Sequence, residues 1–346
     1  MTTVDGRERI EIRMTDTAER TFEELMQTST APDPVPFVLI GFEREYADKL
    51  ANHTAVWIKY IGTRLNLERL DGITIAFDYP KALADLDRGY ETSFVNKPTT
   101  EFAQGVAMSP VVKRDGVIKT RIVLDAGVFN SFLDQDGENW RMLFYQLAHE
   151  CGHVHDHYAF DEAFPGVFLA PPNFPDGLSR HVFQMGNGCW CEYAASRLSA
   201  DFVPEQVVHF EETFFTVFKD INQRTAALTE KFEDDGDVIA FFNGLSQEYE
   251  RLMRFASYLL GHLNGLGGDV ATAPQFKELL ESGHWIAGFI KALDEAFDDV
   301  WAQYGAWKDL DDFGDIGTVV QLLVARHGLH ASVGEGGGMY VSFVAP

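Results

Sequence analysis

Basic residues are scarce in this chain: 28 Lys and Arg stand against 53 Asp and Glu, for a formal net charge of −25. No stretch gathers Lys and Arg into a patch, which argues against a free-standing nucleic-acid binder. Acidity at this level favours solubility and repels anionic partners, but it names no substrate. Cysteine is also sparse, at three residues in 346, too few for a disulfide framework in a chain this long. No window approaches the roughly 20 apolar residues that span a bilayer. The opening "MTTVDGRERIEIRMTD" lacks the apolar segment of a secretory signal. The expectation is a cytoplasmic protein with neither membrane nor nucleic acid as partner.

What is present is an ordinary globular balance, 46% hydrophobic and 23% charged, long enough for one large domain or two modest ones. Residues 15–29 and 43–68 carry helical patterns, and "GITIAFDY" (72–79) reads as a strand. Asp115-Gly116 separates two β-rich runs, the signature of a two-residue hairpin turn. Ile118, Thr120, Ile122 and Leu124 then share one strand face. A helix is expected over 138–158, followed by a long Pro/Gly/Phe-rich loop and a second helix over 189–203 that stops at Pro204. Beyond it helical patterns dominate, at 205–230, 237–264, 274–281, 285–304 and 316–327, with a glycine-rich loop and a short strand at the end. Strands early and helices late point to an α+β fold, with a core over 1–204 and a helical region over 205–346.

Histidine is distributed unevenly, since four of the eleven fall within "QLAHECGHVHDHYAF" (146–160). On a helix His149 and His153 lie about 40° apart, so both imidazoles reach one point above the surface. Leu143, Phe144, Leu147, Cys151 and Val154 gather on the opposite side, which places Cys151 in the core. Gly152 leaves room beside the histidines, where a substrate backbone would approach. His149-Glu150-Cys151-Gly152-His153 is thus an HExxH motif: two neutral imidazoles one turn apart hold zinc, and the intervening Glu reaches a water. His157 turns toward the same side and reads as a supporting or surface histidine; His155 points elsewhere.

A catalytic zinc takes three protein ligands and keeps one open position. Glu192, beside the packing stripe Cys191, Ala195, Leu198 and Phe202 on the next helix, is the expected third ligand, with Asp156, Asp161 and Glu162 as competitors. The Cys189–Cys191 pair reads as packing. Hydrolysis also needs a donor for the oxyanion, and His181, Tyr193 and His157 are the local candidates.

"HECGHVHDH" followed by "EYAASRLSADFVP" resembles the zincin peptidases of the ImmA/IrrE type, over about residues 140–204. The resemblance implies a zincin-like core, Zn2+ held by His149, His153 and Glu192, Glu150 as catalytic base, and a peptide or protein substrate. It does not extend into 205–346. Ser196 stands where thermolysin-like gluzincins carry an Asp after the ligand glutamate. Peptide deformylases share HExxH, but their cysteine ligand precedes the motif and all three cysteines here lie within or after it. The alternative to a metallopeptidase is a non-catalytic or regulatory protein that uses the same scaffold to hold a partner. "DLDDFGD" (309–315) is not a calcium loop, because Phe313 and Val320 occupy ligand positions.

Overall fold

A computed structural model describes residues 22–92, 97, 105–137, 139–169 and 173–344. The start of the helix expected at 15–29 lies outside them. The first half of the chain runs α1 (Phe22–Met26), β1 (Phe37–Ile40), α2 (Arg44–Ile61), β2 (Leu70–Ala76), α3 (Tyr79–Ala84), β3 (Ala107–Met108), β4 (Val111–Arg114), β5 (Val117–Asp125), α4 (Ala126–Phe129) and α5 (Trp140–Ala163). The strands form one mixed sheet in the order β1-β2-β5-β3, with β4 also on β5. β1, β2 and β5 are parallel, whereas β3 and β4 run antiparallel to β5. The expected hairpin turn is present: Asp115 (φ 50°) and Gly116 (φ 85°) are both left-handed, as a type I′ turn requires. The coarse α+β expectation is met.

Alternation places Ile73 and Ile75 of β2 and Ile122 and Leu124 of β5 on one sheet face. They bury against Leu50 and Ile58 of α2 and against Leu143, Leu147, Cys151 and Val154 of α5. The apolar stripe of the histidine-bearing helix therefore faces the sheet, whereas His149 and His153 face Glu192 of the following helix.

The second half is α6 (Gly177–Ser199), α7 (Gln206–Asp235), α8 (Val238–Gly265), α9 (Pro274–Glu281), α10 (Trp285–Trp301), α11 (Gly314–Ala325) and a terminal hairpin of β6 (Leu329–Val333) and β7 (Met339–Phe343). None of the helices among the described residues is long and apolar enough to cross a membrane. The helix that carries Glu192 starts twelve residues earlier than the expected 189. Asp176 caps it by accepting from the Ser179 N–H at 2.8 Å, and Gly177, Gly186 and Gly188 blur its apolar periodicity.

Those glycines reflect close packing around α6. A Cβ on Gly186 would sit 2.8 Å from Gly317 N of α11, and one on Gly317 only 1.8 Å from Val182 O. From α8, a Cβ on Gly261 would come within 2.3 Å of Tyr193 O, and one on Gly265 within 2.5 Å of Arg197 O. α6 is thus gripped backbone-to-backbone by its neighbours. Its buried Cys189, Trp190, Tyr193 and Ala194 join one core with Leu252, Met253 and Leu260 of α8, Phe297 of α10 and Val320 of α11. α6 packs with the helical region, and α5 stands between it and the sheet.

Gly317→Ala should cost about 3 kcal/mol, because the clash is with backbone that no rotamer change relieves. Gly288→Ala on α10, whose added methyl meets nothing within 4 Å, should instead stabilise by roughly 0.5–1 kcal/mol. Urea denaturation of the two variants checks both signs.

Candidate metal centre

α5 and α6 run antiparallel and touch where Gly152 meets Ala195: a Cβ at 152 would lie 2.8 Å from Ala195 O and 2.9 Å from its Cα. Gly152 is therefore a helix-crossing residue, and the space it leaves is filled by α6 rather than by substrate. The close crossing carries Glu192 to the histidines. Its Oε2 lies 3.2 Å from His149 Nε2 and 3.4 Å from His153 Nε2, and one ligand atom from each residue falls within 4.8 Å of the others. Tetrahedral ligands on bonds near 2.1 Å are about 3.4 Å apart, so the donor set fits a metal ion. Side-chain exposures of 5%, 13% and 20% for His149, His153 and Glu192 rise toward Glu192, which is where the centre opens to solvent.

Burial works against charge on Glu192, yet hydrogen bonds from His149 and His153 hold its carboxyl well below the ordinary range. Burial likewise opposes charge on His153, but the Glu192 carboxylate overrides it and pushes the imidazole up to about 9. The His149 ring lies between Tyr145 and Tyr258, with centroids 6.2 and 5.4 Å away. Its Nδ1 is buried without a hydrogen-bond partner, so the two tyrosine rings orient the imidazole.

Glu150 is 3% exposed and stands outside the ligand group. Its carboxylate accepts from Ser109 Oγ at 2.7 Å and from Gln146 Nε2, one turn earlier on α5, at 3.0 Å. Ser109 follows β3, the outer strand of the sheet, so one hydroxyl ties the sheet edge to the HExxH glutamate.

The competing acids are engaged elsewhere. Asp161 and Glu162 both pair with Arg69, and Asp156 accepts from Tyr304 Oη at 3.0 Å. His155 Nδ1 accepts from the Asn66 N–H at 2.8 Å. His157 reaches Thr120 of β5 at 3.0 Å, and burial, reinforced by the charge on His153, pushes it down to about 3. Cys151 is wholly buried, and burial raises the Cys191 thiol well above its ordinary value; neither joins the ligand group.

Two expected catalytic residues are not at the centre. Tyr193 is fully buried, its ring stacked on Phe297 at 4.1 Å. Its hydroxyl accepts from Arg197 and from Asn264 Nδ2. His181 packs at a tilt against Phe242, ring centroids 5.2 Å apart, eleven residues before Glu192 and so about 16 Å up the helix. Both expectations rested on closeness in sequence to Glu192, which a long helix turns into distance or into the wrong face. The residue that the sequence left unnoticed is Tyr258 of α8, 66 positions beyond Glu192. Its ring lies over His149, and after burial it is the Glu192 charge that pushes its phenol well above the ordinary value. No short motif marks it; only the parallel packing of α6 and α8 brings it in.

A cavity of about 550 Å3 lies elsewhere, lined by Val38, Thr74, Lys81, Arg114 and Arg121 among others. Arg121 there is already saturated by Thr74, Ile73 O and Asp71. No protein-family model, curated protein or solved structure matches the chain.

Gly152→Ala should force α5 and α6 apart and weaken metal binding by at least roughly tenfold, as expected when ligands lose their set geometry. Chelator-competition titration of the refolded variant measures this; unchanged affinity would show that the crossing does not set the ligand spacing.

Proposed function

We propose that the protein is a zinc-dependent peptidase. The observation that carries this reading is the convergence of both HExxH imidazoles with a carboxylate from a separate helix, while the motif's own glutamate stays outside the ligand set, buried and hydrogen-bonded. A purely structural site has no use for that fourth group. Bound zinc lowers the pKa of a water toward ~7 and polarises the scissile carbonyl.

The chain's own groups supply the rest. Glu150, steadied by Ser109 and Gln146, takes a proton from the attacking water and delivers it to the leaving amine. Tyr258, facing Glu192 from α8, is placed to donate its hydroxyl to the charge that develops on the carbonyl oxygen. A peptide bound as an added strand would pair with the outer edge at β3, which Ser109 joins to Glu150. The cytoplasmic setting and the peptide or protein substrate remain part of this proposal.

Glu150→Gln should keep its zinc and lose at least roughly 100-fold in turnover, whereas His149→Ala or Glu192→Ala should lose the metal. Metal analysis beside hydrolysis of a mixed fluorogenic peptide pool separates the two classes. Full activity in Glu150→Gln would refute the mechanism. Tyr258→Phe should lower kcat by roughly 100-fold or less and leave the metal content intact.

A further inference from the structure

Resting on the peptidase reading, we infer that the centre binds a substrate carboxylate next to the metal, with Arg254 as its anchor and Arg88, held by β4, as a second cation. The chain is short of cations, yet it places two guanidiniums with idle donors beside one centre. Arg254 belongs to α8, one turn before Tyr258, and is close enough to Glu192 for their charges to interact. One of its Nη2 donors goes to Glu250. Its Nε is buried without a partner, an arrangement that is costly unless a ligand or water completes it. Arg88 follows α3, donating from Nε to Val111 O of β4 and from Nη2 to Tyr90 Oη. Its Nη1 is likewise buried and unpartnered, and its charge reaches His157.

Gly188 explains how Arg254 comes to lie there. It sits one turn before Glu192 on α6, and a Cβ on it would stand 3.3 Å from Arg254 Nη2 and 2.9 Å from Glu250 Oε1. Lacking one, α6 leaves a shallow floor under the guanidinium, leading away from the ligand carboxylate. The four residues from Gly188 to Glu192 rise about 6 Å along the helix. One extended residue plus a charge-assisted hydrogen bond spans a similar length, about 6 Å. A carboxylate one residue past the scissile carbonyl would therefore meet Arg254, and its bidentate geometry suits a guanidinium. Either the terminal carboxylate of the peptide or an Asp or Glu side chain presents this chemistry.

The test uses the full-length zinc-loaded protein and two probes that bind zinc through the same group: acetohydroxamate, and the monohydroxamate of succinic acid, which adds a carboxylate. Calorimetry should give the carboxylate probe at least a tenfold advantage. Arg254→Gln should reduce that advantage to within twofold while leaving acetohydroxamate affinity unchanged, which also shows that the variant retains its metal centre. Arg88→Gln should reduce it partly. Succinyl hydroxamates of phenylalanine with a free terminus and of glutamate with an amidated terminus distinguish the two carboxylate sources.

Equal binding of both probes to the unaltered protein, or an advantage that survives Arg254→Gln, would overturn the anchor and leave the peptidase reading standing. A parallel loss of both probes in Arg254→Gln would also overturn it, placing Arg254 in support of the metal instead. Zinc-loaded protein that binds neither hydroxamate would refute the open metal centre, and the anchor with it.

Discussion

The close crossing of α5 and α6 is the constraint on which the rest depends. Two imidazoles four residues apart come together on any helix, but the third group must be delivered by tertiary packing. Gly152 lets the two backbones meet at Ala195, and Glu192, three residues before that contact, then falls opposite both histidines. The remaining grips on α6, from Gly261 and Gly265 of α8 and from Gly317 of α11, hold the same helix from other sides. The C-terminal helices are thus the frame that fixes where the carboxylate sits, and they contribute Tyr258 to the centre directly. Behind it, Pro204 O accepts from His262 Nε2 at 3.0 Å, which leaves Nδ1 to accept from Tyr145 Oη at 3.3 Å. A polar path of α5 and α8 side chains therefore runs beneath His149, closing onto the segment that ends α6.

Burying one carboxylate and two imidazoles is unfavourable unless they neutralise one another. Here they do so by mutual hydrogen bonding, which holds Glu192 charged and draws a proton onto His153. A cation bound by these three groups would find its ligands already spaced for it. Less reorganisation is then charged against binding, the physical meaning of a preorganised site. In the proposed reaction the same low-dielectric setting would give Glu150 and Tyr258 their leverage, because interactions with developing charge strengthen where water is excluded.

Much of the centre was legible in the amino-acid order because it follows from local periodicity. His149, His153, the buried Cys151 and the apolar stripe that faces the sheet all follow from 3.6-residue repetition within one helix, and the Asp115-Gly116 hairpin follows from turn chemistry. Glu192 was accessible because its helix carries a clear packing stripe. The errors share one cause. Gly152 read locally as an opening, and Gly186 and Gly188 interrupt the periodicity of α6, whereas Gly152 and Gly186 mark backbone approaches, and Gly188 a side-chain approach, from elements distant in sequence. This hid the first twelve residues of α6, moved His181 away from the centre, and gave Gly152 the wrong role. Tyr258 and Arg254 lay beyond reach for the complementary reason: nothing in α8 reveals which face meets α6 until the two are packed in parallel. β1, an edge strand of the sheet, and the short helix α3 were too brief to show a period.

The most direct test of the account is X-ray absorption at the zinc edge of the reconstituted protein. Two imidazole nitrogens, one carboxylate oxygen and a solvent oxygen, all at about 2.0–2.2 Å, are the expected coordination. A sulfur scatterer near 2.3 Å, or a metal without imidazole, would contradict it.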